Sequence, residues 1–153
     1  GAFDLVLSVF TFDNIPGMEK KVRIFSSLRE VLTEHGVLVS VVSSPDIYIN
    51  EWASFSTRDY PENWLARSGD KVLISMLDVE DQRPVEDILW SAKDYREVYR
   101  RAQLEVLEVL HPLADGSEPY HWISETSVAP WVVYVLAARA CSTEAHDTEG
   151  AGA

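Results

Sequence analysis

The sequence predicts an α/β fold, and three observations indicate it. Two apolar segments, residues 3–12 and 37–42, flank an amphipathic helix. A second helix is predicted near residue 92, with further apolar segments on both sides of it. The 153 residues are enough for one domain with a buried core. Strands that alternate with helices along one domain are typical of an α/β chain.

The first predicted element is a strand at residues 3–12. Seven of its ten residues are apolar and none is Gly or Pro, which is typical of a strand buried on both faces. A helix is predicted from Met18 to Glu34, because its apolar residues recur every three or four positions and form one face. Gly36 suits the left-handed position that follows a helix.

The next apolar segment, residues 37–42, is predicted to be a second buried strand. With the first strand and the helix it forms a βαβ unit, which implies two parallel strands. Residues 46–70 are irregular and rich in aromatic side chains. Residues 71–78 are predicted to be a further strand, and residues 81–87 a turn through Pro84.

The second helix is predicted to begin after Ser91. Asp94 follows three residues later, which resembles a capping box. The helix is expected to end near residue 102. Residues 104–110 alternate apolar and acidic side chains, which favours a strand. The alternative is one long helix over residues 92–110.

The C-terminal region is predicted to contain one more strand. Residues 112–130 contain Gly, Ser and Pro and are expected to form a loop, and residues 131–137 read as a last buried strand. Residues 140–153 are small and polar, and we expect a mobile tail there. The predicted organisation is therefore one domain over residues 1–139 followed by this tail.

Composition and charge exclude several classes of function. The formal net charge is −12, with 13 Lys and Arg against 25 Asp and Glu. A surface of this sign repels nucleic acid backbones and anionic membranes. No apolar segment approaches the length of a membrane span. The single cysteine, Cys141, can form no internal disulfide, and the cytoplasm is the expected compartment.

No common catalytic or metal-binding motif is present. The four histidines are scattered in sequence, so no helical metal site is predicted. Asp78, Asp81 and Asp87 lie close together but lack the spacing and the Gly of a calcium loop. We therefore interpret these three aspartates as a solvated acidic rim and predict no metal.

The ends of the first two strands are the first candidate for a ligand site. In a parallel sheet, ligands bind outside the carboxyl ends of the strands. Thr11, Asp13 and Asn14 follow the first strand, and Ser43 follows the second. These polar groups suit a small-molecule site. Asp13 and Asn14 are equally consistent with a turn that caps the helix.

The aromatic segment, residues 46–70, is the second candidate. Its aromatic side chains either cover a pocket or fill the core. An irregular segment of this length is longer than most connections and favours a lid. Its aromatic residues are Tyr48, Trp52, Phe55, Tyr60 and Trp64.

Four segments together resemble the second half of a class I S-adenosylmethionine-dependent methyltransferase. They are residues 3–16 (FDLVLSVFTFDNIP), 27–36 (SLREVLTEHG), 37–45 (VLVSVVSSP) and 94–104 (DYREVYRRAQL). Their order and spacing carry the resemblance. Gln103 stands where the family has Gly.

The resemblance implies a partial Rossmann-like methyltransferase sheet. Residues 3–12, 37–42, 131–137 and 104–110 correspond to strands 4, 5, 7 and 6 of the family, and residues 71–78 add a strand. The resemblance therefore favours a strand over a helix at residues 104–110. The family's first three strands, with the Gly-rich loop and the acidic residue that binds the cofactor ribose, are not among these 153 residues. The N-terminal cofactor-binding half is therefore expected to be missing.

The resemblance also implies roles for individual residues. Asp13 is the candidate catalytic base. The residues placed near the cofactor S-adenosylmethionine are Phe10, Thr11, Phe12 and Asn14. The residues placed near the methyl acceptor are Ser43, Tyr48, Trp52 and Asn63. Without the Gly-rich loop and the ribose acid, we expect this chain alone not to bind the cofactor.

Two functions remain open at this stage. The first is the acceptor-side half of a methyltransferase that acts on a small molecule, inactive as this chain alone. The second is a non-catalytic, truncated methyltransferase-like protein that associates with itself. The second is favoured by the missing Gly-rich loop and by residues 3–12, which become an apolar sheet edge when the family's first strand is absent. Such an edge pairs readily with another chain, so we expect either a homodimer or a partner that supplies the missing strands.

Overall fold

The computed structural model describes residues 1–81 and 83–139, and the tail predicted for residues 140–153 lies outside this range. The described residues form two α-helices and two β-sheets. Two short 3-10 helices, Pro45–Tyr48 and Pro61–Leu65, lie in the aromatic segment. The strands and α-helices are β1 (Phe3–Val9), α1 (Met18–Val31), β2 (Leu32–Ser43), β3 (Phe55–Ser56), β4 (Lys71–Met76), β5 (Pro84–Ile88), α2 (Ala92–Arg101), β6 (Leu104–Leu110) and β7 (Trp131–Ala138).

The larger sheet has four strands in the order β1-β2-β7-β6. β1 and β2 are parallel, and β7 is antiparallel to both of its neighbours. This is the order predicted for the equivalents of strands 4, 5, 7 and 6, with β1 at the edge. The strand prediction at residues 104–110 is confirmed, and the long-helix alternative is wrong.

The main hydrophobic core lies between this sheet and the two helices. α1 contributes Phe25, and α2 contributes Tyr95, Val98 and Tyr99, as their apolar spacing predicts. The sheet contributes buried side chains that alternate along its strands: Leu38 and Val42 from β2, Leu104 from β6, and Val132, Tyr134 and Leu136 from β7. The ring of Phe25 meets the ring of Tyr99 edge-on, at a centroid distance of 5.1 Å.

The opposite face of the four-stranded sheet is apolar and uncovered by any described helix. Three cross-strand rows make up this face, which we call the open face: Leu5–Val37–Ala137, Leu7–Val39–Val135 and Val9–Val41–Val133. Leu5, Leu7 and Val9 are 59%, 64% and 46% exposed. The prediction that the first strand is buried on both faces is therefore wrong. Its apolar residues suit burial, but helices cover only one of its faces.

The end of α1 also differs from the prediction. The helix ends at Val31, and the chain enters β2 directly at Leu32. Gly36 lies inside β2 and has no left-handed backbone, so it is not the residue that ends the helix. A Cβ atom at Gly36 would lie 2.7 Å from the carbonyl oxygen of Phe3. Gly is therefore needed there because the irregular start of the β1–β2 pairing brings two backbones together.

The smaller sheet has the order β3-β4-β5 and is inserted between β2 and α2. The added strand predicted at residues 71–78 forms as β4. Residues 84–87, predicted as part of the turn over 81–87, instead lie in β5. Pro84 is compatible with this, because a proline is tolerated at the first residue of an edge strand. The aromatic segment fills a second core beneath this sheet, where Tyr48, Trp52 and Phe55 are at most 5% exposed.

Specific residues mark both ends of α2. The Ser91 hydroxyl oxygen accepts a hydrogen bond from the Asp94 backbone amide at 3.1 Å, as predicted. At the other end Gln103 has a φ of 58°, in the left-handed region. This region is favourable for Gly and strained for other residues, and Gln103 is the position where the family has Gly.

We expect the substitution Gln103→Gly to stabilise the protein. Removing the Cβ from a left-handed position relieves about 1 kcal/mol of strain, which corresponds to an increase in Tm of about 2–4 °C for a domain of this size. Thermal unfolding followed by circular dichroism measures this. Gln103→Ala is the control, because it keeps the Cβ atom and gains nothing. Equal Tm values for the Gly and Ala variants would contradict the expectation.

Candidate functional site

A buried polar cluster lies where β1 and β2 end. Asp13 is only 6% exposed. Its Oδ1 accepts a hydrogen bond from the Tyr95 hydroxyl at 2.8 Å, and its Oδ2 accepts one from the Ser43 backbone amide at 2.8 Å. The carboxylate thus joins the ends of the two parallel strands to α2. The two strand ends meet as predicted, and Asp13 holds the turn that follows β1. Neither Asp13 nor Asn14 caps the helix, since the residue that precedes α1 is Gly17 and no side chain caps it.

Lys21 of α1 completes this cluster. Its side chain is fully buried, and its Nζ donates to the carbonyl oxygens of Phe12 and Asp13 at 2.5 and 3.1 Å. The ammonium group also lies 4.8 Å from the ring centre of Trp90 and 5.0 Å from that of Tyr95. Burial lowers the pKa of Lys21 to about 8, against the opposing attraction of Asp13. Sequence inspection missed this residue, because a lysine in a basic helix reads as a surface side chain.

The pKa of Lys21 predicts a pH dependence of stability. The ordinary pKa of 10.5 applies when the protein is unfolded, and about 8 applies when it is folded. Between these values the unfolded state binds more protons, so stability rises with pH from about pH 8. Above about pH 10 the buried tyrosines oppose the rise, since burial raises the pKa of Tyr95 and Tyr99.

The measurement is urea unfolding at several pH values between 7 and 9.5 for the native protein and the Lys21→Met variant. We expect the rise in the native protein and none in the variant. If the unfolding free energies of the two proteins changed with pH in the same way, the rise could not come from the lowered pKa of Lys21.

The four residues predicted to lie near the cofactor do not share one environment. Phe10 is 43% exposed, has a φ of 51° and packs its ring 4.7 Å from that of Trp131. Thr11 is exposed and donates to the Val9 carbonyl. Phe12 packs edge-on against Phe25 in the core. Asn14 is exposed; its Nδ2 donates to the Asp87 carboxylate, and its Oδ1 accepts from the Ile88 amide. The structure therefore places Phe10 and Thr11 at the surface and uses Phe12 and Asn14 to hold neighbouring segments.

The residues predicted to face the acceptor are largely engaged within the protein. Trp52 is 1% exposed, and its indole nitrogen donates to the Ile47 carbonyl. Asn63 donates to the carbonyls of Tyr48 and Leu73 and accepts from the Leu73 amide. Burial and the nearby Asp87 carboxylate raise the pKa of Tyr48. These side chains fill the second core, so the structure does not support the interpretation of this segment as a lid; their role toward an acceptor stays a prediction.

A concave site opens beside the second core, whose Trp52 and Phe55 contribute to its lining. It has a volume of about 640 Å³, which is in the range of small-molecule sites. Trp131 pairs with Ser43 across β7 and β2, so the site lies at the carboxyl end of β2. We call it the aromatic pocket. Its aromatic lining residues are Trp52, Phe55, Tyr120, Trp122 and Trp131, and its acidic lining residues are Asp78, Glu118 and Glu125.

Most of this pocket comes from the loop between β6 and β7, which the sequence analysis left without a function. Glu125 is 8% exposed and accepts from the amides of Ala53 and Ile123 at 2.7 and 2.8 Å. Burial has the largest single effect and opposes ionisation of Glu125, but hydrogen bonds from several backbone amides together outweigh it and lower the pKa of this carboxyl group. Glu118 accepts from the Trp122 indole at 3.1 Å. The aromatic and acidic residues of this loop are the sequence feature that could have indicated a pocket here.

Comparison with solved structures identifies the fold. No family model and no curated protein sequence matches the chain. An S-adenosylmethionine-dependent methyltransferase from Clostridium acetobutylicum superposes with a TM-score of 0.55 at 13% identity, over 91% of this chain. A second from Mesorhizobium loti gives a TM-score of 0.56 at 15% identity, over 88% of this chain. The glycopeptide N-methyltransferase MtfA, solved with S-adenosylmethionine, gives 0.55 at 12% identity, over 91% of this chain.

The chain has the fold of the C-terminal part of a Rossmann-like methyltransferase domain. It spans 59%, 61% and 55% of the three proteins named above. The partial sheet inferred from the resemblance is therefore confirmed. The aromatic pocket lies at the carboxyl end of β2, and ligands of open α/β sheets bind outside the carboxyl ends of the strands. Within residues 1–81 and 83–139, no helix has the length and apolar character that a membrane crossing requires.

Proposed function

We propose that these residues form the acceptor-side part of an S-adenosylmethionine-dependent methyltransferase that acts on a small molecule. The observation that carries the proposal is the combination of the β1-β2-β7-β6 sheet with a concave pocket at the carboxyl end of β2. In such a protein the cofactor supplies an activated methyl group, and the protein supplies binding and orientation. The pocket is then the place where the acceptor is held.

The described residues fit only one side of a cofactor site. Phe10 and Thr11 are exposed at the end of β1, where they are available to a ligand. Asp13 holds this turn in place through Tyr95 and Ser43. With both carboxylate oxygens occupied, Asp13 acts in this proposal as a positioning residue and not as a base. No Gly-rich loop or ribose-binding acid is present among these residues, so we expect strands that pair with β1 to supply the remainder.

The uncovered edge and face of β1 support the proposal that further strands supply the remainder of the cofactor site. β1 pairs only with β2 among the described strands. Its exposed residues Leu5, Leu7 and Val9 continue the open face to the sheet edge. A cofactor-binding segment that adds a strand beside β1 would satisfy the free backbone groups of this edge, and its helices would cover the open face. That segment belongs either to the same polypeptide or to a partner.

Titration calorimetry with S-adenosylhomocysteine tests the proposal. The two samples are the 153-residue chain and the polypeptide encoded by the complete reading frame that contains it. We expect micromolar binding by the latter when it carries the cofactor-side strands, and affinity at least about a hundredfold weaker for the 153 residues alone. Absence of binding by such a complete polypeptide would contradict the proposal. Equal, tight binding by the 153-residue chain would contradict the need for further strands.

The second candidate function is a non-catalytic protein that associates with itself. The observation in its favour is again the open face, since a second copy can cover it as well as another segment can. Sedimentation velocity of a complete polypeptide that does not bind S-adenosylhomocysteine distinguishes the two. A stable dimer without cofactor binding supports this candidate, and cofactor binding excludes it.

A further inference from the structure

The aromatic pocket has a strongly negative lining. Asp78, Glu118 and Glu125 line it, and no Lys or Arg does. The sequence between Arg101 and Arg139, which supplies most of the pocket, contains no Lys or Arg at all. The pocket is therefore a concave, acidic site within an acidic protein, and its field attracts cations.

These carboxylates are not neutralised within the described ranges. None of the ion pairs found in residues 1–81 and 83–139 involves Asp78, Glu118 or Glu125. Hydrogen bonds lower the pKa of Glu118 and Glu125, against the effect of burial for the latter, so both stay ionised at neutral pH. Asp78 is exposed, and its side chain makes no hydrogen bond within residues 1–81 and 83–139. The Asp78 carboxylate is thus free to contact a ligand, whereas Glu118 and Glu125, whose oxygens already accept hydrogen bonds within the protein, act on a ligand through their charge.

The same pocket presents aromatic rings. Tyr120 and Trp122 pack with ring centres 5.0 Å apart on the β6–β7 loop, and Tyr120 is 65% exposed. Trp52 and Phe55 stack at 5.7 Å on the opposite, buried side. The face of an aromatic ring attracts a cation and the rest of the ring surface binds apolar groups. Rings and carboxylates in one concavity therefore favour a ligand that is both apolar and positively charged.

We propose that the aromatic pocket binds a small organic amine in its protonated form. The binding of the amine does not depend on the proposed function. The further statement that such an amine is the methyl acceptor rests on the proposed function. In such a transfer the amine first loses a proton to water. The nitrogen lone pair would then form the bond to the methyl carbon of the cofactor as the carbon–sulfur bond breaks, and the two electrons of that broken bond would remain on sulfur. Anionic ligands are repelled, and neutral ones gain only the apolar contacts.

Three probes that share a phenyl ring on a two-carbon chain separate the effect of the ligand's charge from the effect of its apolar contacts. They are 2-phenylethylamine, 2-phenylethanol and 3-phenylpropanoate, and ligand-observed NMR titration of the 153-residue chain at pH 7 gives their affinities. We expect the amine to bind about tenfold more tightly than the alcohol, and the carboxylate not to bind measurably. The amine's advantage should shrink when salt is raised. Equal binding of amine and alcohol, tighter binding of the carboxylate, or no binding of any probe would overturn the proposal.

Two variants locate the binding site. Asp78→Asn removes an exposed charge from the pocket, and Tyr120→Leu removes a ring face while keeping an apolar side chain. Each should weaken amine binding about threefold to tenfold and leave the alcohol nearly unchanged. Asp59→Asn is the matched control, because Asp59 is exposed and lies outside the pocket lining. An equal loss in the control, or no loss in either pocket variant, would place the amine elsewhere and overturn the assignment.

Failure of this inference and failure of the proposed function are distinguishable. The amine titration uses the chain without cofactor, and the S-adenosylhomocysteine titration uses no amine. Cofactor binding without any amine preference overturns only the acceptor class. Amine binding by a complete polypeptide that does not bind the cofactor overturns the methyltransferase proposal and leaves the amine site in place.

Discussion

The Asp13→Ala variant is expected to lose about 3–5 kcal/mol of unfolding free energy, because it removes the centre of a buried polar cluster. The Tyr95 hydroxyl and the Ser43 amide both lose their acceptor. The buried Lys21 ammonium loses the carboxylate that opposes its desolvation. Urea unfolding at pH 7 measures the loss directly.

The Asp13→Asn variant is the matched comparison. Its amide oxygen keeps one acceptor and its shape is almost unchanged, so the loss should be intermediate. Asp59→Asn, at an exposed aspartate outside the cluster, should change stability by less than about 0.5 kcal/mol. A loss below about 1 kcal/mol in Asp13→Ala would show that the cluster does not hold the strand ends together.

The Leu7→Lys variant is expected to weaken association through the open face strongly. Leu7 is 64% exposed at the centre of the β1 edge, so the substitution costs little within the chain itself. In an interface it replaces about 2 kcal/mol of apolar burial with a desolvated charge, which weakens association by about twentyfold or more. Sedimentation velocity of the 153-residue chain over a range of concentrations measures the change.

Leu65→Lys is the control for this substitution. Leu65 is 82% exposed but lies on the short helix Pro61–Leu65, away from the four-stranded sheet. It should leave self-association unchanged. If the native chain is monomeric at all concentrations, or if both variants dissociate it equally, the open face is not the surface that associates.

The strand order of the main sheet was predictable from the sequence, for physical reasons. The apolar segments that became β1, β2 and β7 are rich in Val and contain little Gly or Pro, and α1 and α2 show clear one-sided periodicity. The resemblance supplied the order in which these strands pair. It also decided between helix and strand at β6, where the alternation of apolar and acidic residues alone left both open.

Burial was less predictable, because it depends on what covers a strand. β1 has the composition of a strand covered on both faces, and only one face is covered by the described helices. β5 begins with Pro84 in an acidic segment, so local propensity indicates a turn there. Pairing with β4 overrides that propensity.

The site was predicted only in part. The proximity of Asp13 and Ser43 followed from the meeting of parallel strand ends. The burial of Lys21 and the pocket formed by the β6–β7 loop did not, because both depend on packing between residues distant in sequence. Tyr48, Trp52 and Asn63 were predicted to belong to a lid, but Tyr48 and Trp52 are buried in the second core, and Trp52 and Asn63 hydrogen-bond to backbone carbonyls within the protein.

The most direct test of the central claim is hydrogen–deuterium exchange with and without S-adenosylhomocysteine, on the polypeptide encoded by the complete reading frame. The claim is that the carboxyl ends of β1 and β2 face the cofactor side of a methyltransferase. It predicts that the ligand slows amide exchange at residues 10–14 and 43–44 and leaves residues 58–60 of the inserted region unchanged. Protection confined to other parts of the chain, or no protection at residues 10–14, would contradict it.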